Sequence, residues 1–388
     1  MNDKNNYTKL NKVKLIKGGS DYFELLIKLI KDSKSLIHIQ SYIFSNDYTG
    51  SLIAEELKIA AARNVSIYLI VDGIASQSLP NSFVKSLKDS GINFKTFEPL
   101  FNSKHFYIGR RMHQKVIAID NKYALVGGIN IANRYNDLPE EKAWLDFAAF
   151  VEGEIVDSIT NYCLSIWRGL PYKDNMVEVP DKSIFNNINL SERCDVRIRR
   201  NDWIWHKNEI SNSYIEMLHH TKNKVTILCS YFIPGKVMRR LLSAASKRGV
   251  KIKVIITGRS DVSVAKYAER WLYDWLLRNN IELYEYQTNV LHGKIAVCDD
   301  EWVTIGSYNI NNISAYASVE FNLDIRNDIF ARHVNETTEE IIKNNCINVT
   351  TVYHKKTKNI FKQFSRYLSY QFIRLTFKLF TFYFRRKN

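Results

Sequence analysis

Short apolar runs rich in β-branched residues alternate along the chain with longer stretches of helical period. Residues 36–44 form one such run. A helical pattern at 52–62 and a second apolar run at 66–71 follow it. The same order recurs later, with runs at 225–234 and 251–256 around a helical pattern at 237–247. The two helical patterns end at matching junctions, Ala62-Arg63-Asn64-Val65 and Lys247-Arg248-Gly249-Val250. Strand, helix and strand at this spacing predict a parallel βαβ unit with a right-handed crossover. Each unit then gains a hairpin. Buried-looking strands at 116–119 and 295–298 end in Asp120-Asn121-Lys122 and Asp299-Asp300-Glu301, and second strands follow at 123–126 and 302–305. The pattern predicts two α/β halves of one design, mixed sheets flanked by helices. Their expected extents are 12–190 and 191–340, after a polar segment 1–11 and before a tail 341–388. Halves packed about a pseudo-twofold axis would bring the two hairpins to one active site.

The hairpins carry the chemistry. His113-Gln114-Lys115 precedes Asp120, and His292-Gly293-Lys294 precedes Asp299, so both read His-x-Lys-x-x-x-x-Asp. Seven residues beyond each aspartate begin Gly127-Gly128-Ile129-Asn130 and Gly306-Ser307-Tyr308-Asn309. One copy is a weak signal, readable as an ordinary strand histidine and a solvated lysine. Two copies with matching downstream spacing make that reading a poor one. Side chains alternate along a strand, so histidine and lysine of each copy share a face. The hairpin returns Asn130 and Asn309 to that face. An imidazole, an ammonium and an amide without an acid suit an anion, phosphate above all. Metal binding is not expected, because lysine is a poor ligand and the histidines lack ligand-spaced partners.

At these residues the chain resembles the phospholipase D superfamily, over about residues 12–330, and within it the shorter bacterial cardiolipin synthases without transmembrane helices. Val71-Asp72-Gly73-Ile74, Arg111-Met112-His113, Tyr231-Phe232-Ile233-Pro234-Gly235 and Glu320-Phe321-Asn322-Leu323 carry the likeness alongside the two motifs. The resemblance implies a two-step reaction without metal or cofactor. One histidine attacks phosphorus and displaces an alcohol; the other protonates the leaving oxygen and later deprotonates the incoming alcohol or water. It makes His113, Lys115, Asp120, His292, Lys294 and Asp299 the catalytic set, with the two aspartates bracing the site. His113 is the expected nucleophile and His292 the general acid. Lys115, Lys294, Asn130 and Asn309 would hold the phosphoryl oxygens, and the Ser307 hydroxyl would add a hydrogen bond. An acid downstream of each motif would orient its histidine, Asp146 matching the first motif and Glu320 the second. Gln114 departs from the arginine common in synthases, an expected loss of one surface charge.

Composition adds a partner. The net charge is +15, but residues 341–388 hold eleven Lys or Arg and no acid, leaving +4 for the rest. Ile360, Phe361, Phe364, Leu368 and Phe372 fall on one helical face, with Lys362 and Arg366 opposite. That is the pattern of a helix lying in a membrane interface. Beyond Ile373 the apolar residues alternate with Arg374, Thr376 and Lys378, which a strand would also explain. The competing expectation is a structural helix docked on the body. The odd cysteine count of five and the absence of any long uncharged apolar run or signal-peptide core predict a peripheral protein at the cytoplasmic face of the cell membrane. The expected activity is phosphatidyl transfer between two phosphatidylglycerol molecules. The alternatives are hydrolysis of a phospholipid or other phosphodiester, with nucleic acid a partner only in that case, and a non-catalytic membrane scaffold.

Overall fold

The computed structural model describes residues 7–99, 110–172, 188–356 and 359–385. The first half runs β1 (Thr8–Lys17), α1 (Ser20–Asp32), β2 (Leu36–Ser41), α2 (Tyr48–Ala62), β3 (Ser66–Asp72), α3 (Asn81–Asp89), β4 (Asn93–Phe97), β5 (Arg111–Met112), β6 (Lys115–Ile119), β7 (Tyr123–Gly127), β8 (Phe147–Gly153) and α4 (Ile155–Arg168). The second runs β9 (Arg193–Asp202), β10 (Lys207–Asn208), α5 (Glu209–His220), β11 (Lys224–Cys229), α6 (Lys236–Lys247), β12 (Lys251–Arg259), α7 (Ser263–Trp271), α8 (Tyr273–Arg278), β13 (Glu282–Val290), β14 (Lys294–Cys298), β15 (Trp302–Gly306), α9 (Asn312–Tyr316), β16 (Ser318–Arg326) and α10 (Asp328–Asn345). The chain then forms β17 (Cys346–Asn348), α11 (Thr351–Lys356) and α12 (Ile360–Arg385).

Each half builds the expected unit. β2 pairs parallel with β3, and β3 with β4; β11 pairs parallel with β12, and β12 with β13. The hairpins β6–β7 and β14–β15 extend the sheets antiparallel, and β8 and β16 follow them. The seam is β1 against β9, with β8 outside the first and β16 outside the second. The strand order 4-3-2-6-7-8-1 therefore meets 9-16-15-14-11-12-13, a pseudo-twofold arrangement. Between the halves lies a common core, with Val116, Val126 and Val151 of one half packed with Ile295, Ile305 and Leu323 of the other. Burying an aliphatic side chain of this size contributes about 1.5–3 kcal/mol, so this shared core holds the halves in one register.

Two expected boundaries fall inside elements. β1 starts at Thr8 and pairs with β8 and β9, so part of the polar segment 1–11 belongs to the seam. α10 crosses residue 341, and β17 beyond it pairs with β13.

The tail is a helix throughout the described residues 360–385, which corrects the strand option beyond Ile373. Neither Gly nor Pro interrupts it. Ile373 packs on the body while Leu375 is 56% exposed, as two residues about 200° apart on a helix must be. One face of α12 docks on α7: Tyr370 joins Ile233, Ala268 and Leu272, and the Tyr367 ring lies 5.2 Å from Trp271. Arg366 is buried on this docked side. The opposite face leaves Phe361 80% and Phe364 63% exposed, with Ile360, Leu368 and Phe372 open beside them. Docked helix and open apolar face, expected as alternatives, are both present. No helix of the described residues is long and apolar enough to cross a membrane.

Candidate active site

Both motif aspartates are turn residues. Asp120 and Asn121 have φ of 52° and 53°, and Asp299 and Asp300 have 49° and 53°. Two successive left-handed residues make the primed turn that suits the twist of a hairpin, and Asp and Asn tolerate that region better than most side chains. The turns close by Lys122 N–H donating to Ile119 O and Glu301 N–H to Cys298 O, both at 3.0 Å. Each carboxylate then gathers three backbone amides of the neighbouring strand entrance. Asp120 accepts from Lys34, Ser35 and Leu36, and Asp299 from Lys222, Asn223 and Lys224, at 2.7–2.9 Å. Burial works against ionised Asp120, yet these amide bonds outweigh it and hold its carboxyl below the usual range. Counted with the catalytic set by the motif, the aspartates sit at the far strand ends and make no bond to either histidine.

The histidines stand at the other ends, where the halves touch. His113 N–H and Gln114 N–H donate to Val319 O at 3.0 and 3.1 Å. His292 N–H and Gly293 N–H donate to Leu145 O at 2.7 and 3.0 Å. Val319 and Leu145 each immediately precede an orienting acid. The acids therefore serve the opposite half, correcting the expectation that each orients the histidine of its own motif. His113 Nδ1 lies 3.0 Å from both Glu320 oxygens, and His292 Nδ1 lies 2.6 Å from Asp146 Oδ2. Each Nδ1–H donates to its carboxylate. Each Nε2, with its lone pair, is left for a substrate.

The lysines follow one pattern. Lys115 Nζ donates to the carbonyl of His113, and Lys294 Nζ to that of His292. Lys294 Nζ also lies 2.9 Å from His292 Nδ1. Burial first, then Lys294, push the His292 imidazole down to about 3 against the pull of Asp146. Burial likewise lowers His113, against Glu320. The Lys294 charge reaches His113 and that of Lys115 reaches His292, so both motifs share one field. Burial and the Lys294 charge bring Lys115 down to about 7. The site thus holds two neutral imidazoles beside two lysines, a setting that suits a phosphodiester anion. Binding of that anion would restore the charge on the lysine and on one histidine.

The remaining expected residues divide. Asn309 is buried with its Oδ1 3.8 Å from Cys229 Sγ, and no bond among the described residues ties its Nδ2. Asn130 is partly committed, with Oδ1 accepting from Ile43 N–H and Nδ2 donating to Tyr135 Oη. Ser307, expected on phosphate, instead donates to Glu320 and accepts from Phe321 N–H, so it fixes the carboxylate that orients His113. Gln114, expected as a surface position, is fully buried. It bonds Gln40 and Tyr162 behind the site, because strand alternation turns it to the face opposite His113. An arginine there would need a buried counter-charge.

Other contributors were present in the sequence without a role assigned. Asp72 is fully buried, accepts from Met112 N–H at 2.9 Å and pairs with Arg111 at 3.2 Å, locking the residues before His113. The Tyr42 ring lies 4.9 Å from the His113 ring, and Lys115 Nζ lies 4.9 Å from its centre. Tyr135 and Trp144 flank His292, with ring centres at 5.2 and 6.0 Å.

Three outcomes are expected. His113→Ala and His292→Ala should each abolish turnover with the fold intact. In protein with nitrogen-labelled histidine, Asp146→Asn should shift the Nδ1–H resonance of His292 and spare that of His113, and Glu320→Gln the reverse; a response to the acid of the same half would contradict the crossed bonds. The lowered Lys115 also sets a pH window. It is cationic below about 7 and neutral above, so kcat/KM on a soluble short-chain phosphodiester should fall as pH rises past that value. A flat profile from about pH 6 to about pH 9 would contradict a role for its charge.

The family model described as "Cardiolipin synthase, PLD-like domain" matches residues 26–167 and 214–342. Cardiolipin synthase B of Escherichia coli strain K12 is 30% identical over 351 residues, 89% of this chain and 84% of that protein. Cardiolipin synthase B of Salmonella typhi is 29% identical, covering 87% and 82%. The crystal structure of a phosphatidylserine synthase from Haemophilus influenzae superposes with a TM-score of 0.71 at 15% identity, over 95% of this chain and 94% of that one, a likeness of fold. The chain belongs to the cardiolipin synthase family of phospholipase D-like proteins.

Proposed function

We propose that the protein transfers a phosphatidyl group from one phosphatidylglycerol to a second, releasing glycerol and forming cardiolipin. The observation that carries this reading is the crossed pair of imidazole–carboxylate bonds in a chain of this family. Nε2 of His113, the more open of the two at 17% side-chain exposure against 9% for His292, attacks phosphorus. The phosphorus–oxygen bond to glycerol breaks as Nε2–H of His292 protonates the leaving oxygen. The hydroxyl of the second lipid then gives its proton to His292 and attacks, and the phosphorus–nitrogen bond breaks. Lys115, Lys294 and Asn309 hold the phosphoryl oxygens, so the charge stabilisation often supplied by a metal comes from side chains. The aromatic walls of Tyr42, Tyr135 and Trp144 limit water near the adduct, which favours an alcohol acceptor over hydrolysis.

The protein works peripherally at the cytoplasmic face of an anionic membrane in this reading. α12 supports that placement. Its docked face ties it to the body, and its open face presents Phe361, Phe364, Leu368 and Phe372 within a basic segment. Each Lys or Arg near anionic lipid contributes about 1 kcal/mol, and the apolar face adds a part that salt does not screen.

Purified protein incubated with phosphatidylglycerol vesicles should yield cardiolipin and glycerol, with the same yield in chelator. Phosphatidic acid alone would replace transfer by hydrolysis as the activity. Removing residues 355–388 takes away ten of the eleven basic residues of the end segment. The shortened protein should lose binding to anionic vesicles; because the deletion also bares Ile233, Ala268 and Leu272, activity on a soluble short-chain phosphodiester is read in Phe361→Ser/Phe364→Ser, which keeps the docked face and should leave that activity unchanged. Flotation with vesicles as strong as that of the full chain would exclude α12 as the anchor.

A further inference from the structure

α6 carries a charge pattern that neither the fold nor the reaction requires. Lys236, Arg239, Arg240 and Lys247 lie along one side of it at spacings of three, four and seven residues, and the helix has no acid. Like charges one turn apart destabilise a helix by a few tenths of a kcal/mol. Three of these cations also stand in the first turns, where the helix dipole already points its positive end. The first half offers an internal control. Its counterpart is α2, and pairing Leu52 with Val237 sets Glu55 against Arg240, Ala54 against Arg239 and Ala62 against Lys247. α2 carries Glu55, Glu56 and Lys58, and its carboxylates pair with Lys58 and Lys31. The repeat therefore folds without a cationic stripe at this place.

The stripe lines a groove. Lys236, Arg239, Arg240, Ser243 and Lys247 enclose with Trp275 of α8 a space of about 420 Å³, within the range of small-ligand sites. No acid lines it. Among the described residues Lys236, Arg239, Arg240 and Lys247 make no side-chain ion pair or hydrogen bond. Arg239 Nε is buried without a partner, and the guanidinium lies 6.0 Å from the centre of the Trp275 indole. Both helices that line the groove lie close in the chain to residues that hold α12. Ile233, just before α6, packs with Tyr370 of α12, and Trp275 follows the α7 segment on which α12 docks.

The geometry points to a second lipid site: the α6–α8 groove binds the phosphate of an anionic phospholipid headgroup outside the catalytic cleft, with Arg239 and Arg240 on the phosphate and Trp275 against the glycerol. The site rests on the membrane reading above for its access to lipid. It takes a headgroup in preference to a nucleic-acid strand because it is an open groove whose cations lie on one helix and whose single aromatic wall, Trp275, offers one ring to a ligand. A strand-binding channel would track several phosphates and stack several bases.

The test uses the full chain and vesicles of phosphatidylcholine with or without phosphatidylglycerol. Arg239→Gln/Arg240→Gln is compared with Lys85→Gln/Lys88→Gln, which removes equal charge from α3. The first pair should weaken binding to phosphatidylglycerol vesicles by about 25-fold. The α3 pair should have little effect, and kinetics on a soluble short-chain phosphodiester should be unchanged in both. Soluble glycerophosphoglycerol should also change the tryptophan fluorescence of the wild type; the Trp275 part of that change should be lost in Trp275→Phe and in the α6 double variant, leaving the part that Trp144 reports from the catalytic cleft. Equal losses in the two pairs would mean diffuse surface charge and overturn the site. So would unchanged vesicle binding, or an α6 variant whose only loss is in binding a single-stranded oligonucleotide. Cardiolipin formation is scored separately: α6-dependent lipid binding without cardiolipin would sink the transferase reading and leave the groove standing.

Discussion

The site depends on two imidazoles held by carboxylates from across the seam. Glu320 reaches His113 and Asp146 reaches His292, and the carbonyl before each acid accepts the histidine's own N–H. Backbone and side chain thus clamp each ring from the opposite half. The bonds can form only if the halves keep one register, which the β1–β9 seam and the common core enforce. Stability and chemistry here have the same source. A shift at the seam would loosen both rings at once, and a displacement of about 1 Å is enough to cost a large factor in rate.

Electrostatics follow from that enclosure. The site buries two lysines, two carboxylates and two histidines together, and burial favours the neutral imidazoles. The lysines remain the main attraction for an anion, although Lys115 holds its charge only up to about pH 7. In the proposed reaction a bound phosphodiester adds negative charge and lets one histidine take up the proton it donates. There the substrate anion completes the site, so His292 takes its proton when the phosphodiester binds.

Much of this was legible in the sequence. The βαβ units, the hairpins and the shared face of histidine and lysine followed from period and spacing. The turn role of Asp120 and Asp299 was visible in Asp-Asn and Asp-Asp, which tolerate left-handed backbone. The exchange of Asp146 and Glu320 was not, because it depends on where the two halves meet and no local pattern encodes that. Gln114 was misjudged as a surface position although strand parity alone turns it inward. Ser307 was misplaced for a different reason: its hydroxyl could face phosphate or Glu320, and only the closeness of β16 decides. In the tail, Ile373 and Leu375 looked like a strand because a helix buried on one face and open on the other also accepts apolar residues on both.

In the proposed reaction the two motifs make one reaction centre with unequal roles. The most direct measurement is the stoichiometry and position of the phosphorylated intermediate. Protein quenched in acid-free denaturant during turnover of labelled phosphatidylglycerol should carry at most one phosphatidyl group per chain, on His113 alone. Labelling of both histidines, or a stoichiometry approaching two per chain, would mean two independent sites and contradict it.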